Sequence, residues 1–407
     1  MTFDTFVQYI WMRLPFFLIF ANSYLVYRLL VNSQLTIFFV QKIMIKSQGN
    51  MARIIISILI AGALLSFFIP NAVSVLILLP VLKQIEKQMT NSNLSENLIS
   101  RISTALGLSA IYGANIGGMG SLVGSPANII LIGALDLLSG KCAIEITFFN
   151  WFLWSIPLVI CFIVSAYCVI RLLVLPSFLK IPDCQFIEQM PLNFHQKASL
   201  KLFILFIVFW ICYAISSQRF DSYQNCQSLI CLIFVFCYTF YIFQKGLLSM
   251  NQLMRGVPFR GCMVLTVFVC LMIIVRWFHL DQIMSTYMDK TISTTQSTTG
   301  LVIWVTGISI ILTEFLSNTI VSTALFPIAY HTAQLNDIMP LVLMIPVSVA
   351  STCAFMTPIA TPCNAFVYGE IRRIRLRTMI ICGMVLNTLC VICVTVWIPV
   401  CIPVIYQ

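Results

Sequence analysis

Apolar residues run in long stretches along the 407-residue chain, separated by short polar links. A helix needs about 20 predominantly apolar residues to cross a bilayer. Eight stretches read as such spans: 14–30, 102–133, 151–175, 200–215, 228–243, 262–278, 341–369 and 379–402. They are continuous rather than alternating in short segments, which predicts helices and not barrel strands. Two further stretches, 54–81 and 301–329, each carry polar residues and an Asn near the middle, with a Pro nine residues after it. Each fits either a kinked span or a hairpin that dips into the membrane and returns. Residues 31–46 are too polar to span and predict an interfacial amphipathic helix.

Charge chooses between the two options. With both stretches as hairpins and the loops around 54–81 in the cytoplasm, 18 of the 23 Lys and Arg residues fall on the cytoplasmic side and 5 outside. That is the asymmetry of the positive-inside rule, and threading either stretch straight through would invert everything after it. The expected fold is an all-α polytopic membrane protein with two re-entrant hairpins, two broken helices and about 8 spanning helices. Both termini lie outside, and the expected location is a bacterial inner (plasma) membrane.

Composition agrees: 60% of residues are hydrophobic, only 9% are charged, and the mean hydropathy is +0.99. A soluble domain of this size would carry far more charge. The net charge of +10 sits in short loops, where it orients spans rather than binding nucleic acid. The 16 cysteines lie mostly inside apolar runs and read as small buried hydrophobes. No cleavable signal peptide is expected, because Arg13 and Arg28 flank the first apolar run and no small-residue cleavage pattern follows.

The chain repeats its unusual features. Phe68-Ile69-Pro70-Asn71-Ala72 in the first half is answered by Phe315-Leu316-Ser317-Asn318-Thr319 in the second, with Pro80 and Pro327 nine residues after each Asn. Gly124-Ser125-Pro126-Ala127-Asn128 is answered by Ala360-Thr361-Pro362-Cys363-Asn364, with Gly133 and Gly369 five residues further on. The charge map makes the hairpins enter from opposite faces, so the expected organisation is a shortened first inverted repeat over 1–175 and a second over 176–407. The first holds the hairpin 54–81 and broken helix 102–133, the second the hairpin 301–329 and broken helix 341–369. Paired interrupted segments of this kind point to a transporter site near the midplane. Half-helix N-termini suit an anion there, and unwound carbonyls suit Na⁺. The run Tyr112-Gly113-Ala114-Asn115-Ile116-Gly117-Gly118-Met119-Gly120 is expected to allow unwinding and close backbone approach.

These motifs resemble the divalent anion:sodium symporters of the ion transporter superfamily, from about Val31 to the C-terminus. Thr313-Glu314-Phe315-Leu316-Ser317-Asn318-Thr319 is similar to that family's hairpin motif, and 355–365 to its broken-helix motif. The resemblance implies a secondary transporter of di- or tricarboxylates or sulfate, coupled to Na⁺ symport by an elevator movement of a mobile domain past a homodimeric scaffold. Matched by position, a first sodium site falls on Ser66, Asn71 and Gly124. A second falls on Thr313, Leu316, Asn318 and Ala360, with Leu316 and Ala360 offering carbonyls. The substrate would meet Asn71, Ser125, Ser317, Asn318, Thr319 and Thr361. Two departures stand out: Pro70 and Ala72 replace a Ser and a Thr of the family pattern, and about three N-terminal helices of the family have no counterpart in this shortened chain.

Other readings rest on single features. Glu314 is the one acid well inside an apolar segment, so it suits either proton or cation coupling or a structural role in the hairpin. An anion exchanger, or an arsenite or Na⁺/H⁺ carrier of the same superfamily, is one alternative, and a non-transporting descendant is another. An intramembrane enzyme would need a buried catalytic constellation, and no HExxH, GxSxG or buried Asp pair is present. His195, His279 and His331 are expected in loops or at membrane edges, and Arg276 with Asp281 reads as a snorkelling anchor. The run Arg372–Arg377 is a topology determinant first and a possible lipid-headgroup contact second.

Overall fold

The computed structural model describes residues 51–68, 70–90, 94–122, 124–139, 146–175, 192–219, 224–254 and 297–406, with scattered positions between 11 and 50. From Met51 onward the described regular elements are helices. They are α1 (Met51–Ser66), α2 (Asn71–Thr90), α3 (Glu96–Met119), α4 (Pro126–Ser139), α5 (Phe148–Leu173), α6 (Phe194–Arg219), α7 (Gln224–Gln244), α8 (Met250–Met254), α9 (Thr298–Thr313), α10 (Asn318–Leu335), α11 (Leu341–Thr352), α12 (Pro362–Glu370) and α13 (Leu376–Ile405). The described positions between 14 and 30 are helical. The expected span 262–278, His279, the Arg276–Asp281 anchor and most of the interfacial segment 31–46 lie outside the described residues.

α5 and α13 have the length and faces of membrane-crossing helices. Their 26 and 30 residues extend about 39 and 45 Å, against a hydrocarbon core roughly 30 Å thick. On α5, Leu153, Ile156, Ile160 and Val164 form an exposed stripe, while Trp151, Trp154, Leu158 and Phe162 are buried. On α13, Ile392, Val396 and Val400 are exposed opposite Cys390, Val394 and Ile398. Apolar residues on both faces suit a helix set between protein and lipid.

The hairpin arms are shorter. α1 and α9 have 16 residues each, about 24 Å of rise, which falls short of a full crossing. Side chains fix their starts: Asn50 accepts from Ala52 N and Arg53 N, and Ser297 from Gly300 N. Each arm stops five residues before the Asn that opens the returning helix. α2 runs past the expected boundary at 81 because its polar end stays amphipathic. Leu82, Ile85 and Met89 are buried there, and Lys83 projects outward to pair with Glu370.

The chain divides into two units, Met1–Lys46 with Phe186–Pro258, and Ser47–Gln185 with Phe259–Gln407. In the first, the Phe209 ring stacks on Phe234 and the Tyr238 hydroxyl donates to Leu202 O, joining α6 to α7. Tyr24 and Arg28 donate to the carbonyls of Leu253 and Gln252. The second unit holds both hairpins and both broken helices. α1 and α2 pack on α3, and α9 and α10 pack on α11. The return arms cross over, α2 against α12 and α10 against α4, while α5 packs along α13.

The glycine run of α3 departs from expectation. It stays helical to Met119, and the chain breaks only over 120–125. Its glycines serve contact instead: a Cβ at Gly117 would lie 2.2 Å from Ala63 O, and one at Gly113 2.5 Å from Leu59 O. The physical reason is the GxxxG spacing, which lets two backbones touch without either unwinding.

Candidate functional site

Both hairpin tips close on the same internal bond. Ser66 Oγ donates to Asn71 Oδ1 at 2.6 Å, and Thr313 Oγ1 to Asn318 Oδ1 at 3.1 Å. Gly124 comes against the first pair, since a Cβ there would lie 2.5 Å from Ser66 O. Gly118 backs the Asn71 amide, with a Cβ position 2.2 Å from Oδ1. Ser66, Asn71 and Gly124 therefore converge, and they offer hard oxygen donors of the kind Na⁺ takes. In the second set, Thr313 Oγ1 also lies 2.5 Å from Ser351 O. Leu316 N bonds back to Leu312 O. Ala360 is buried. Among the described residues no hydrogen bond joins Leu316 or Ala360 to the Thr313–Asn318 pair.

The residues expected to meet substrate fall at the tips and at the starts of α4 and α12. Ser125 is fully buried, and its Oγ lies 3.1 Å from Thr352 Oγ1 of the other half. Thr361 caps α12, accepting from Asn364 N at 3.2 Å and donating to Asn364 Oδ1 at 2.9 Å. Ser317 caps α10 through Ile320 N at 3.4 Å and is exposed. Asn71 is buried, whereas Asn318 and Thr319 are half-buried. In the first hairpin Pro70 holds the capping position, its carbonyl accepting from Val73 N and Ser74 N. It has no hydroxyl to satisfy the first turn of α2, which Ser317 does for α10.

The sequence did not reveal what holds the breaks open. Asn128 Nδ2 donates to Gly118 O at 2.9 Å and Ser121 O at 2.7 Å. Asn364 Nδ2 donates to Ala354 O and Thr357 O, both at 2.8 Å. Each Asn reaches back ten and seven residues, so one amide spans each interruption. Both residues stand in the repeated motifs, three after Ser125 or Thr361, which was the available signal. α5 completes the first break: Trp151 Nε1 donates to Met119 O at 3.0 Å and Ser155 Oγ to Gly120 O at 2.9 Å. Four successive carbonyls at the end of α3 thus find side-chain donors, as a helix end away from water requires. Asn115 joins the halves, its Nδ2 lying 3.3 Å from Asn364 Oδ1. Ser348 Oγ does the same with Asn128 Oδ1 at 2.7 Å.

Glu314 does the complementary work at the second break. Its Oε1 accepts from Phe355 N at 3.0 Å, Met356 N at 2.9 Å and Asn387 Nδ2 at 2.9 Å. Its Oε2 accepts from Thr357 N at 2.9 Å. The carboxylate is buried, and three backbone N–H groups plus an amide stabilise its charge. Of the two roles open to this residue, the contacts describe the structural one. At the matching place in the first hairpin stands Phe67, whose ring packs against Gly120. The backbone at both places is handled alike, with Ser121 Oγ donating to Phe67 O and Thr357 Oγ1 to Glu314 O.

Two helical hairpins, two interrupted helices braced by polar side chains and lipid-type outer faces define a polytopic membrane transporter. The chain belongs to the citrate transporter family (CitMHS), which matches residues 2–259. It is similar to the sodium-dependent dicarboxylate transporter SdcS of Staphylococcus saprophyticus, 26% identical over 357 residues, covering 84% of this chain and 67% of the relative. The protein of the same name in Staphylococcus aureus is 25% identical over 343 residues, covering 79% and 64%. The chain therefore spans about two thirds of the length of these curated relatives. Both relatives agree with the resemblance drawn from the motifs. Among solved structures, the YdaH transporter of Alcanivorax borkumensis, described as having an unusual topology, aligns with a TM-score of 0.66 at 12% identity. The match covers 98% of this chain and 89% of that one, and it is a likeness of fold.

Proposed function

We propose that this protein is a secondary transporter of small dianions or trianions, di- or tricarboxylate or sulfate, driven by Na⁺ symport. The observation that carries the reading is the matched pair of tip bonds, Ser66–Asn71 and Thr313–Asn318, each beside a broken helix. Ser66, Asn71 and Gly124 would hold one Na⁺, and Thr313, Leu316, Asn318 and Ala360 a second. Asn71, Ser125, Ser317, Asn318, Thr319 and Thr361 would meet the anion, with the N-termini of α4 and α12 adding their positive dipole ends. The names of the Staphylococcus relatives support both the sodium coupling and the dicarboxylate class. The two sequence halves act as inverted repeats in a homodimer of a bacterial inner membrane, both termini outside. The unit carrying hairpins and broken helices is the one that moves.

Proteoliposome uptake of succinate, citrate and sulfate, with and without a Na⁺ gradient, tests this. At least one anion enters with Na⁺ and stops entering in Asn318→Ala. Uptake unchanged by that substitution refutes the site. Uptake indifferent to Na⁺ refutes symport and favours exchange, the reading that Pro70 at the capping position of α2 makes the next best.

A further inference from the structure

Where α3 begins, α5 ends and α13 begins, the second unit forms an open cavity of about 250 Å³, lined by Asn97, Arg101, Thr104, Arg375 and Thr378 among others. Two guanidiniums face it, and among the described residues no carboxylate lines it. Glu96, the nearest acid in sequence, is paired with Arg373 at 3.3 Å. Neighbours fix both guanidiniums without exhausting them. Arg101 Nε donates to Val174 O at 2.9 Å, and among the described residues its Nη groups make no hydrogen bond. Arg375 Nε donates to Ser100 Oγ at 2.9 Å and Nη2 to Asn97 O at 3.0 Å and to Asn97 Oδ1, and among the described residues Nη1 makes no hydrogen bond. Fixed planes with spare N–H groups suit bidentate contacts to a tetrahedral oxyanion.

α13 adds to this field. Arg375 is its N-cap without a side-chain capping bond, and its first turn carries no acid. The leading N–H groups of the helix therefore lack an intrahelical acceptor. They add roughly half a positive charge. The carboxyl end of α5 opposes this with about half a negative charge, but the Val174 carbonyl is already taken by Arg101. Two full charges decide the sign. Leu172, Leu173 and Leu376 beside the cavity are exposed, an apolar rim suited to lipid.

We propose that this cavity binds a phosphate oxyanion, either the headgroup of an anionic phospholipid or free phosphate. It is separate from the breaks and does not depend on the identity of the cargo. The test uses purified full-length protein in neutral detergent, probed with phosphatidylglycerol, phosphatidylcholine and inorganic phosphate by native mass spectrometry and thermal shift. Thr378→Glu places a carboxylate in the cavity at a helix start, where acids favour the helix, so the fold is kept while the anion is repelled. Arg101→Gln removes one guanidinium. The expected result is preferential retention of phosphatidylglycerol over phosphatidylcholine, weakened about fivefold in either variant, as a charge near a lipid surface is worth about 1 kcal/mol. Saturable binding of inorganic phosphate with the same loss, and no preference between lipids, would assign the site to a soluble anion. Wild-type protein that takes up neither probe, or Thr378→Glu that binds as wild type does, overturns the proposal.

Discussion

Glu314→Gln removes a charge while keeping the side chain's shape, and the contacts of Glu314 allow its cost to be worked out. The carboxylate accepts four hydrogen bonds, all of 2.9 to 3.0 Å. A glutamine retains one oxygen, which can still serve Phe355 N, Met356 N and Asn387. Its NH₂ group then faces Thr357 N, donor against donor. Hydrogen bonds to a charged group contribute about 1.5–3 kcal/mol and neutral ones about 0.5–1.5, while an orphaned buried donor costs about 1–3. Three weakened bonds and one orphaned N–H would sum to about 4–7 kcal/mol. Interhelical side-chain bonds measured in a membrane bundle average only about 0.6 kcal/mol, which favours the lower end, about 4 kcal/mol. For a large domain that corresponds to a fall in Tm of roughly 8 °C. The assay is thermal unfolding of purified protein in micelles followed by tryptophan fluorescence. A variant melting within about 1 °C of wild type would refute the capping role. A proton-carrying role would look different: normal melting, with transport that no longer responds to pH.

Two other substitutions separate site from scaffold. Gly118→Ala puts a Cβ 2.2 Å from Asn71 Oδ1, whereas nothing lies within 4 Å of a Cβ at Gly133; uptake assays should find the first variant inactive and the second normal, and equal activities would remove Asn71 from the site. Asn364→Ala frees the Thr357 carbonyl, leaves the Ala354 carbonyl only the 3.4 Å bond from Asn115 Nδ2 and deprives Asn115 of one of its two partners; proteolysis of reconstituted protein should then cut within 353–361 faster than in wild type, and unchanged protection would mean that Glu314 and Asn115 suffice to brace the break.

Much of this fold was legible because lipid and backbone impose simple rules. Continuous apolar runs flanked by basic residues marked α5 and α13, and a repeated Asn with a Pro nine residues after it marked the two hairpins. Charge asymmetry then distinguished hairpins from spans. The bracing of the breaks was not legible, because it depends on residues distant in sequence. Nothing in Trp151 or Ser155 announces that they will bond the carbonyls of Met119 and Gly120, 32 and 35 positions earlier. Glu314 was visible as an oddity, yet its role required knowing that the backbone of 355–357 turns its N–H groups toward it. The glycines of α3 misled in a specific way. Gly is compatible with both unwinding and tight packing, and the proximity of α1, which decides between them, is a tertiary fact.

The two breaks meet the same physical demand, the first with neutral groups and the second with a carboxylate added, and this bears on how the halves can share cation binding. At the first, neutral donors from Asn128, Trp151 and Ser155 saturate carbonyls, and Phe67 brings no charge. At the second, a full negative charge saturates N–H groups, and its bearer directly follows Thr313. Opposite charges about 6 Å apart at an effective dielectric near 20 attract by roughly 3 kcal/mol. The four hydrogen bonds spread but do not cancel the charge of Glu314. A Na⁺ at Thr313 and Asn318 thus gains an attraction that one at Ser66 and Asn71 lacks, while Pro70 and Ala72 further reduce the polar groups at the first tip. On the proposed function, the second hairpin is the stronger cation site, and it is also the more open one, with Phe315 72% and Leu316 42% exposed at its tip. On the same proposal the first, with Ser66 and Asn71 buried against Gly118 and Gly124, would fill after it.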